Sequence, residues 1–346
     1  MSEITKVVLD AMGGDHSPGE MVIGAVNAVK EKKDLFVYIV GKSQGIKEVL
    51  EKLEYPKEQI EVVDAPDEIT CHDAPVTAIR TMKDSSMVVG LKMVKEGKAD
   101  GFVSPGNSGA ILVGGQVLVG RMKGIERAPL APIVPTMDGV SLLIDCGANV
   151  DARPSHLVQF AKMGSIYMEH VVGIKNPRVG IVNIGAEEEK GNALVKETFP
   201  LLKECTDINF VGSVEARDFP YGVADVVVTE AFVGNVMLKT LEGLSSGLVK
   251  KIKEGLTATP ISTIGAALVK PQLKKTLKTF DATEYGGAPL LGLNGLVVKI
   301  HGNATRKEVK NALFQVETFK KQSINEKIKA HLLSEAKIKE EKKKEQ

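Results

Sequence analysis

The sequence predicts an α/β protein: a mainly parallel central sheet in α/β/α layers, with a protruding helical hairpin. Three observations lead there. Short β-branched runs alternate with stretches of helical spacing along most of the 346 residues. Motifs rich in Gly, Asp, Asn and Ser follow those runs directly, and open parallel sheets collect ligands beyond their carboxyl strand ends. From Phe232 to about Leu277 the alternation gives way to one long helical pattern and then a second.

In chain order, strands are expected at Lys6–Leu9, Phe36–Val40, Ile60–Val63, Gly101–Ser104, Val140–Ile144, Val179–Asn183, Asn209–Val211, Asp225–Val228 and Gly295–Ile300. Between them, helical spacing marks Gly19–Lys30, Gly45–Leu53, Ser85–Lys95, Ser155–Val172 and Gly191–Lys203. The whole chain, 1–346, reads as a single large α/β domain with a central cleft. A hairpin is expected over 232–280, with breaks near Thr257–Pro260 and before Pro271, and a charged tail over 335–346. The second arm, "PISTIGAALVKPQLKKTLKTF", is apolar early and lysine-rich late. It suits either an anionic membrane surface or a dimer-packing face.

Composition narrows the function. Hydrophobic residues make up 43% and charged residues 26%, as in a soluble globule. A net charge of +1 offers no global reason to bind nucleic acid. Cys71, Cys146 and Cys205 are widely spaced and form no C-x-x-C pair, which argues against a disulfide framework or zinc knuckle and for a reducing cytoplasm. The first residues lack a signal-peptide layout, and no apolar run reaches spanning length. No H-E-x-x-H motif or EF-hand loop occurs, so neither metal nor cofactor is expected.

Four strand ends carry the candidate chemistry. In "FVSPGNSGA", Gly106 allows close backbone approach, and Asn107 or Ser108 can cap a helix whose N-terminus attracts anions. The stretch is neither a Walker loop nor a nucleophile elbow nor a dinucleotide fingerprint. In "DAMGGDHSP", Asp10 and Asp15 flank Gly13 and Gly14. "LLIDCGAN" brings Asn149, and "NIGAEEEKG" brings Asn183, Glu187 and Lys190. In "FVGNVMLKTLEG", Asn235, Lys239 and Glu242 share one helix face, either lining a cleft or forming a solvated Lys–Glu pair. His301 ends the last expected strand.

Taken in order, "DAMGGDHSP", "KDSSM", "SPGNSGA", "CGANVDARPSHLVQFAKMGS", "NIGAEEEKG", "FVGNVMLKTLEG", "EYGGAPLLGLNG" and "HGNA" resemble the bacterial phosphate acyltransferases of phospholipid synthesis, from about Lys6 to Asn325. The resemblance implies a fold like that of the isocitrate and isopropylmalate dehydrogenases and of phosphotransacetylase. It implies transfer of a long-chain acyl group from acyl carrier protein to inorganic phosphate. It also implies a homodimer, peripheral attachment to the inner face of the cell membrane, and delivery of acyl phosphate to a membrane glycerol-3-phosphate acyltransferase. This chain departs from the family pattern at Pro105 (Ala), Ser108 (Thr), Thr229-Glu230-Ala231-Phe232 (Cys-Asp-Gly-Phe) and Asn303 (Ser).

In such a reaction phosphate is itself the nucleophile, so no covalent serine or cysteine is needed. The phosphate is assigned to Gly13, Gly14, Ser104, Gly106, Asn107 and Ser108, with charge from Lys190 or Lys239. Asn149, Asn183 and Asn235 are candidate oxyanion donors, Asp10 or His301 the orienter or acid/base, and Asp15 and Glu242 substrate contacts. The alternatives are a phosphotransacetylase using acetyl-CoA, a dehydrogenase of the shared fold, and a catalytically silent membrane-surface adaptor.

Overall fold

The computed structural model describes residues 3–331, and the tail expected over 335–346 lies outside them. In chain order the elements are β1 (Thr5–Asp10), α1 (Gly19–Glu31), β2 (Leu35–Gly41), α2 (Ser43–Leu50), β3 (Ile60–Asp64), α3 (Pro75–Thr81), α4 (Ser86–Lys95), β4 (Gly101–Ser104), α5 (Ser108–Gly114), β5 (Ile133–Thr136), β6 (Gly139–Ile144), α6 (Pro154–Tyr167), β7 (Arg178–Asn183), α7 (Ala193–Lys203), β8 (Asn209–Glu215), β9 (Val226–Val228), α8 (Ala231–Leu256), α9 (Pro260–Lys278), β10 (Ala288–Leu290), β11 (Leu296–Lys299) and α10 (Arg306–Lys321). The chain forms two compact units. Among the described residues, one comprises 3–132, 162–176 and 283–331, the other 133–161 and 177–282.

The first unit holds a six-stranded sheet in the order β10-β11-β4-β1-β2-β3, parallel except at β10. Val7, Val8 and Leu9 of β1 are fully buried, because a parallel strand covered on both faces needs a continuous apolar run. Alternation along β4 shows the two covering layers. A side-chain carbon at Gly101 would meet Val316 of α10, whereas the next residue, Phe102, packs against Gly90 of α4. The second unit holds a five-stranded sheet, β5-β6-β9-β7-β8, parallel except at β5. Its core gathers Leu143, Val214, Phe219, Val227 and Met237.

All nine expected strands form, and the mainly parallel α/β character holds, with the strands shared between two sheets. The reading from sequence missed β5 and β10. Each is a short antiparallel edge strand containing a proline (Pro135, Pro289), which a sheet tolerates at an edge but which argues against a strand when read alone. It also passed over α3, only 7 residues long, and α10, whose buried face carries Glu308, Gln315 and Glu317 among its apolar residues. The break expected before Pro271 is absent, since α9 runs through it. The break near Thr257–Pro260 is present, closed by a capping box in which Thr259 and Ser262 satisfy each other's backbone.

One close approach fixes how α8 begins. A Cβ at Gly234 would sit 1.9 Å from the carbonyl oxygen of Asp145, so the helix rests on that peptide only because no side chain intervenes. Gly234→Ala is expected to lower the urea unfolding midpoint by an amount equivalent to at least ~1–3 kcal/mol. Gly243→Ala, on the same helix with open space around it, should instead stabilise by up to ~1 kcal/mol. Equal midpoints for the two variants would contradict this packing.

Candidate functional site

In the first unit, β1, β4 and β11 run parallel and end together, so Asp10, Ser104 and His301 leave the sheet at the same edge. Asp10 is buried at 1% exposure. The hydroxyl of Ser104 donates to its Oδ2 at 2.7 Å, the N–H of Met12 donates to its Oδ1 at 3.0 Å, and Ser86 adds a further side-chain bond. Burial pushes the Asp10 carboxyl from its ordinary 3.8 up to about 6, the hydrogen bonds from Ser86, Ser104 and Met12 pull it down, and the charge of Glu68 adds to the rise.

Ser104 is therefore a relay. Its single hydroxyl hydrogen goes to Asp10, while its oxygen accepts the N–H of Gly106 at 3.0 Å. Expected from sequence as a donor to an anion, it instead ties the turn after β4 to the end of β1. Gly13 takes a left-handed conformation, φ +78°, and a Cβ there would stand 3.0 Å from the Cα of Gly106. The two glycine turns are thus in backbone contact. Gly14 faces the ring of Pro105 and the carbonyl of Gly302, which also accepts the N–H of Asp15 at 2.7 Å.

Asn107 caps α5 by accepting the N–H of Ala110 at 3.1 Å, and its amide donates to the carbonyls of Thr70 and Asp73 at 2.9 and 3.1 Å. Ser108, the first residue of α5, is exposed. The loop before α3 contributes Glu68, which accepts the N–H of Gly13 at 3.2 Å and lies 3.4 Å from Lys42 Nζ. His301 follows β11, and its Nδ1 stands 2.8 Å from Glu308 Oε1. The structure thus gathers Asp10, Gly13, Gly14, Asp15, Ser104, Gly106, Asn107, Ser108 and His301 of the expected set. Reasoning from sequence missed Ser86, Glu68 and Glu308. "KDSSM" hinted at the first. Thr305-x-x-Glu308 reads as a capping box, but Thr305 makes no side-chain cap and the carboxylate turns to His301.

In the second unit, the parallel strands β6, β9 and β7 also end together. Asp145 is fully buried and accepts both the N–H and the side-chain amide of Asn149, at 2.8 and 2.7 Å. Asn183 donates its amide to Ser213 at 3.0 Å. Glu230 caps α8 by accepting the N–H groups of Phe232 and Val233 at 2.7 and 2.9 Å. Asn235 is exposed on the first turns of α8 and lies beside Gly147. Lys239 and Glu242 form an exposed ion pair of 2.7 Å. Burial pushes the thiol of Cys146 well up, with the charges of Asp145 and Glu242 adding to the rise and that of Lys239 opposing it. Lys190 pairs with Glu187 at 2.8 Å in an exposed, solvent-screened contact.

A cavity of about 650 Å³ lies elsewhere, at the amino ends of β1 and β4, lined by Thr5, Asp100 and Lys320. Among the described residues no group of three or more His, Cys, Asp or Glu stands placed to hold a metal.

Strand-end glycine turns on mainly parallel sheets define an α/β protein of phosphotransacetylase-like fold. A phosphotransacetylase from Streptococcus pyogenes superposes with a TM-score of 0.60 at 17% identity, covering 92% of this chain and 95% of that one, a likeness of fold alone. The chain belongs to the phosphate acyltransferase family. It is 52% identical over 314 residues to the phosphate acyltransferase of Alkaliphilus oremlandii, covering 91% of this chain and 93% of the relative. It is 47% identical to that of Clostridium novyi, covering 94% and 98%. The family model described as "Fatty acid synthesis protein" matches residues 5–327.

The raised Asp10 carboxyl has a measurable consequence. With a folded-state value of about 6 against an ordinary 3.8, the folded protein holds this proton more tightly than the unfolded chain. The stability this contributes is full below about pH 4 and is lost as pH rises through 6, by ~3 kcal/mol in total. Asp10→Asn removes the titration. The unfolding free energy of the native chain minus that of Asp10→Asn should therefore fall between pH 4 and 7. A difference that is flat over that range would show that Asp10 titrates normally.

Proposed function

We propose that this chain moves a long-chain fatty acyl group from acyl carrier protein to inorganic phosphate, giving acyl phosphate for phospholipid synthesis. The observation that carries this reading is the 52% identity, over 91% of the chain, to a protein named phosphate acyltransferase. An oxygen of hydrogen phosphate attacks the thioester carbonyl, the carbon–sulfur bond breaks, and the phosphate's proton finishes on the departing sulfur. No acyl-enzyme intermediate is needed, in keeping with a Ser104 hydroxyl already committed to Asp10.

In this reading the touching turns at Gly13 and Gly106 let the phosphate approach the backbone closely, and the backbone N–H groups of Asn107 and Ser108 with the Ser108 hydroxyl complete its contacts, while the Asn107 side chain, tied to Thr70, Asp73 and Ala110, holds the turn in place. Asp10 and Ser104 hold those turns in register, and His301 carries the proton. A second copy of the chain and a peripheral membrane contact belong to the same proposal. The support for the latter is α9, whose early Ile261, Ile264 and Leu268 are exposed and whose late turns carry Lys274, Lys275 and Lys278. Among the described residues no helix is long and apolar enough to cross a membrane.

The donor is tested by incubating the protein and phosphate with palmitoyl-carrier protein or with acetyl-CoA and measuring acyl phosphate. The expected result is faster turnover with the carrier protein, whereas faster turnover with acetyl-CoA would make the chain a phosphotransacetylase. Asn107→Ala frees the phosphate turn from Thr70 and Asp73 and should, by misplacing it, lower kcat ~100-fold, far beyond the ~1 kcal/mol of stability lost with the helix cap. Near-native turnover in that variant would remove the Asn107 side chain from the phosphate site.

A further inference from the structure

Glu308 is a carboxylate with 3% of its side chain exposed, placed at the first turn of α10. Its Oε1 accepts the backbone N–H of His301 at 2.9 Å and stands 2.8 Å from His301 Nδ1. One ionised oxygen can accept both contacts only if Nδ1 carries a hydrogen. The chain around the ring is held from several sides: the N–H of Ile300 donates to the carbonyl of Ser104, that of Ala304 to the carbonyl of His301, and Gly302 receives Asp15. The imidazole itself remains 49% exposed, at the same strand ends as Asp10 and Ser104.

From this we infer that Glu308 is a positioning residue, which holds His301 with its proton on Nδ1 and presents Nε2 as the nitrogen that transfers the proton. A buried carboxylate on one imidazole nitrogen fixes the tautomer, aims the ring and stabilises the imidazolium that forms in passing. The reaction step rests on the acyl-transfer reading above, while the tautomer does not. As a phosphate oxygen attacks the carbonyl carbon, Nε2 takes the proton from hydrogen phosphate. As the carbon–sulfur bond breaks and its electron pair leaves with sulfur, Nε2 returns that proton to the sulfur. The ring ends as it began, and no further reactant is consumed. Glu308 never touches the substrate.

The test uses the full chain labelled with ¹⁵N-histidine, with the His301 resonances identified among six histidines by their loss in His301→Ala. A long-range ¹H–¹⁵N spectrum, recorded above the titration of the ring, is expected to show the Nδ1–H tautomer in the native protein and its loss of dominance in Glu308→Gln. Glu308→Gln keeps the size of the side chain and an acceptor for the backbone N–H. It should lower kcat ~10- to 100-fold while the KM for phosphate stays within ~3-fold. Added to His301→Ala, it should cost nothing further in kcat, as expected of a residue that acts only through the ring. A native Nε2–H tautomer, an unchanged kcat in Glu308→Gln, or additive losses in the double variant would each overturn the inference. Should Glu308→Gln fail to fold, the native spectrum decides the tautomer. A native chain that makes no acyl phosphate from any thioester would instead sink the proposed function, and the spectrum would still decide the tautomer.

Discussion

The hydrogen bond from Ser104 to the buried carboxyl of Asp10 is the constraint on which the strand-end site of the first unit depends. A carboxyl at 1% exposure is costly to bury, and it persists because Ser104, Ser86 and the Met12 N–H surround it with donors. Those donors sit on three separate segments: the end of β4, the start of α4 and the turn after β1. Satisfying one buried group therefore fixes three pieces of chain. The same serine then accepts the N–H of Gly106, so the turn that opens α5 takes its position from Asp10. A residue that reads as a ligand donor in sequence becomes, in the fold, the link that places the turn before α5.

The second unit repeats this device with different residues. Asp145, fully buried just past β6, is satisfied by Asn149 and by the N–H of Ala148 at 3.2 Å. Its carbonyl supports α8 through Gly234, and the N–H of Ala231 donates to the carbonyl of Asn149 at 3.2 Å. Glu230 accepts two N–H groups of α8 and so caps the helix whose start rests on Asp145. In each unit, a buried aspartate at a strand end organises the glycine-bearing turn beside it.

Much of the fold was legible because parallel strands buried on both faces leave unbroken apolar runs, and nothing in β1 or β4 competes with that pattern. Edge strands β5 and β10 were not legible, since Pro135 and Pro289 speak against a strand unless the edge position is known. Helix α10 was hidden by the polar residues it buries. Gln315, for example, is read as surface until its bonds to Tyr167 and Gly287, at 2.7 and 3.1 Å, are seen. At the site, residue type and strand-end position picked out Asp10, Asn107 and His301. Their partners came from far along the chain: Asn107 meets Thr70 and Asp73 across more than thirty residues, and no local pattern announces that pairing. The direction of the Ser104 hydroxyl was equally invisible, because it depends on a carboxyl 94 residues away.

The most direct measurement is a crystal structure of the protein with inorganic phosphate bound. The expected result is a phosphate against the backbone of Gly13 and of Gly106 to Ser108, with the Ser104 hydroxyl still donating to Asp10. A phosphate that takes the Ser104 hydroxyl from Asp10, or one bound away from these turns, would contradict the organising role given to that hydrogen bond.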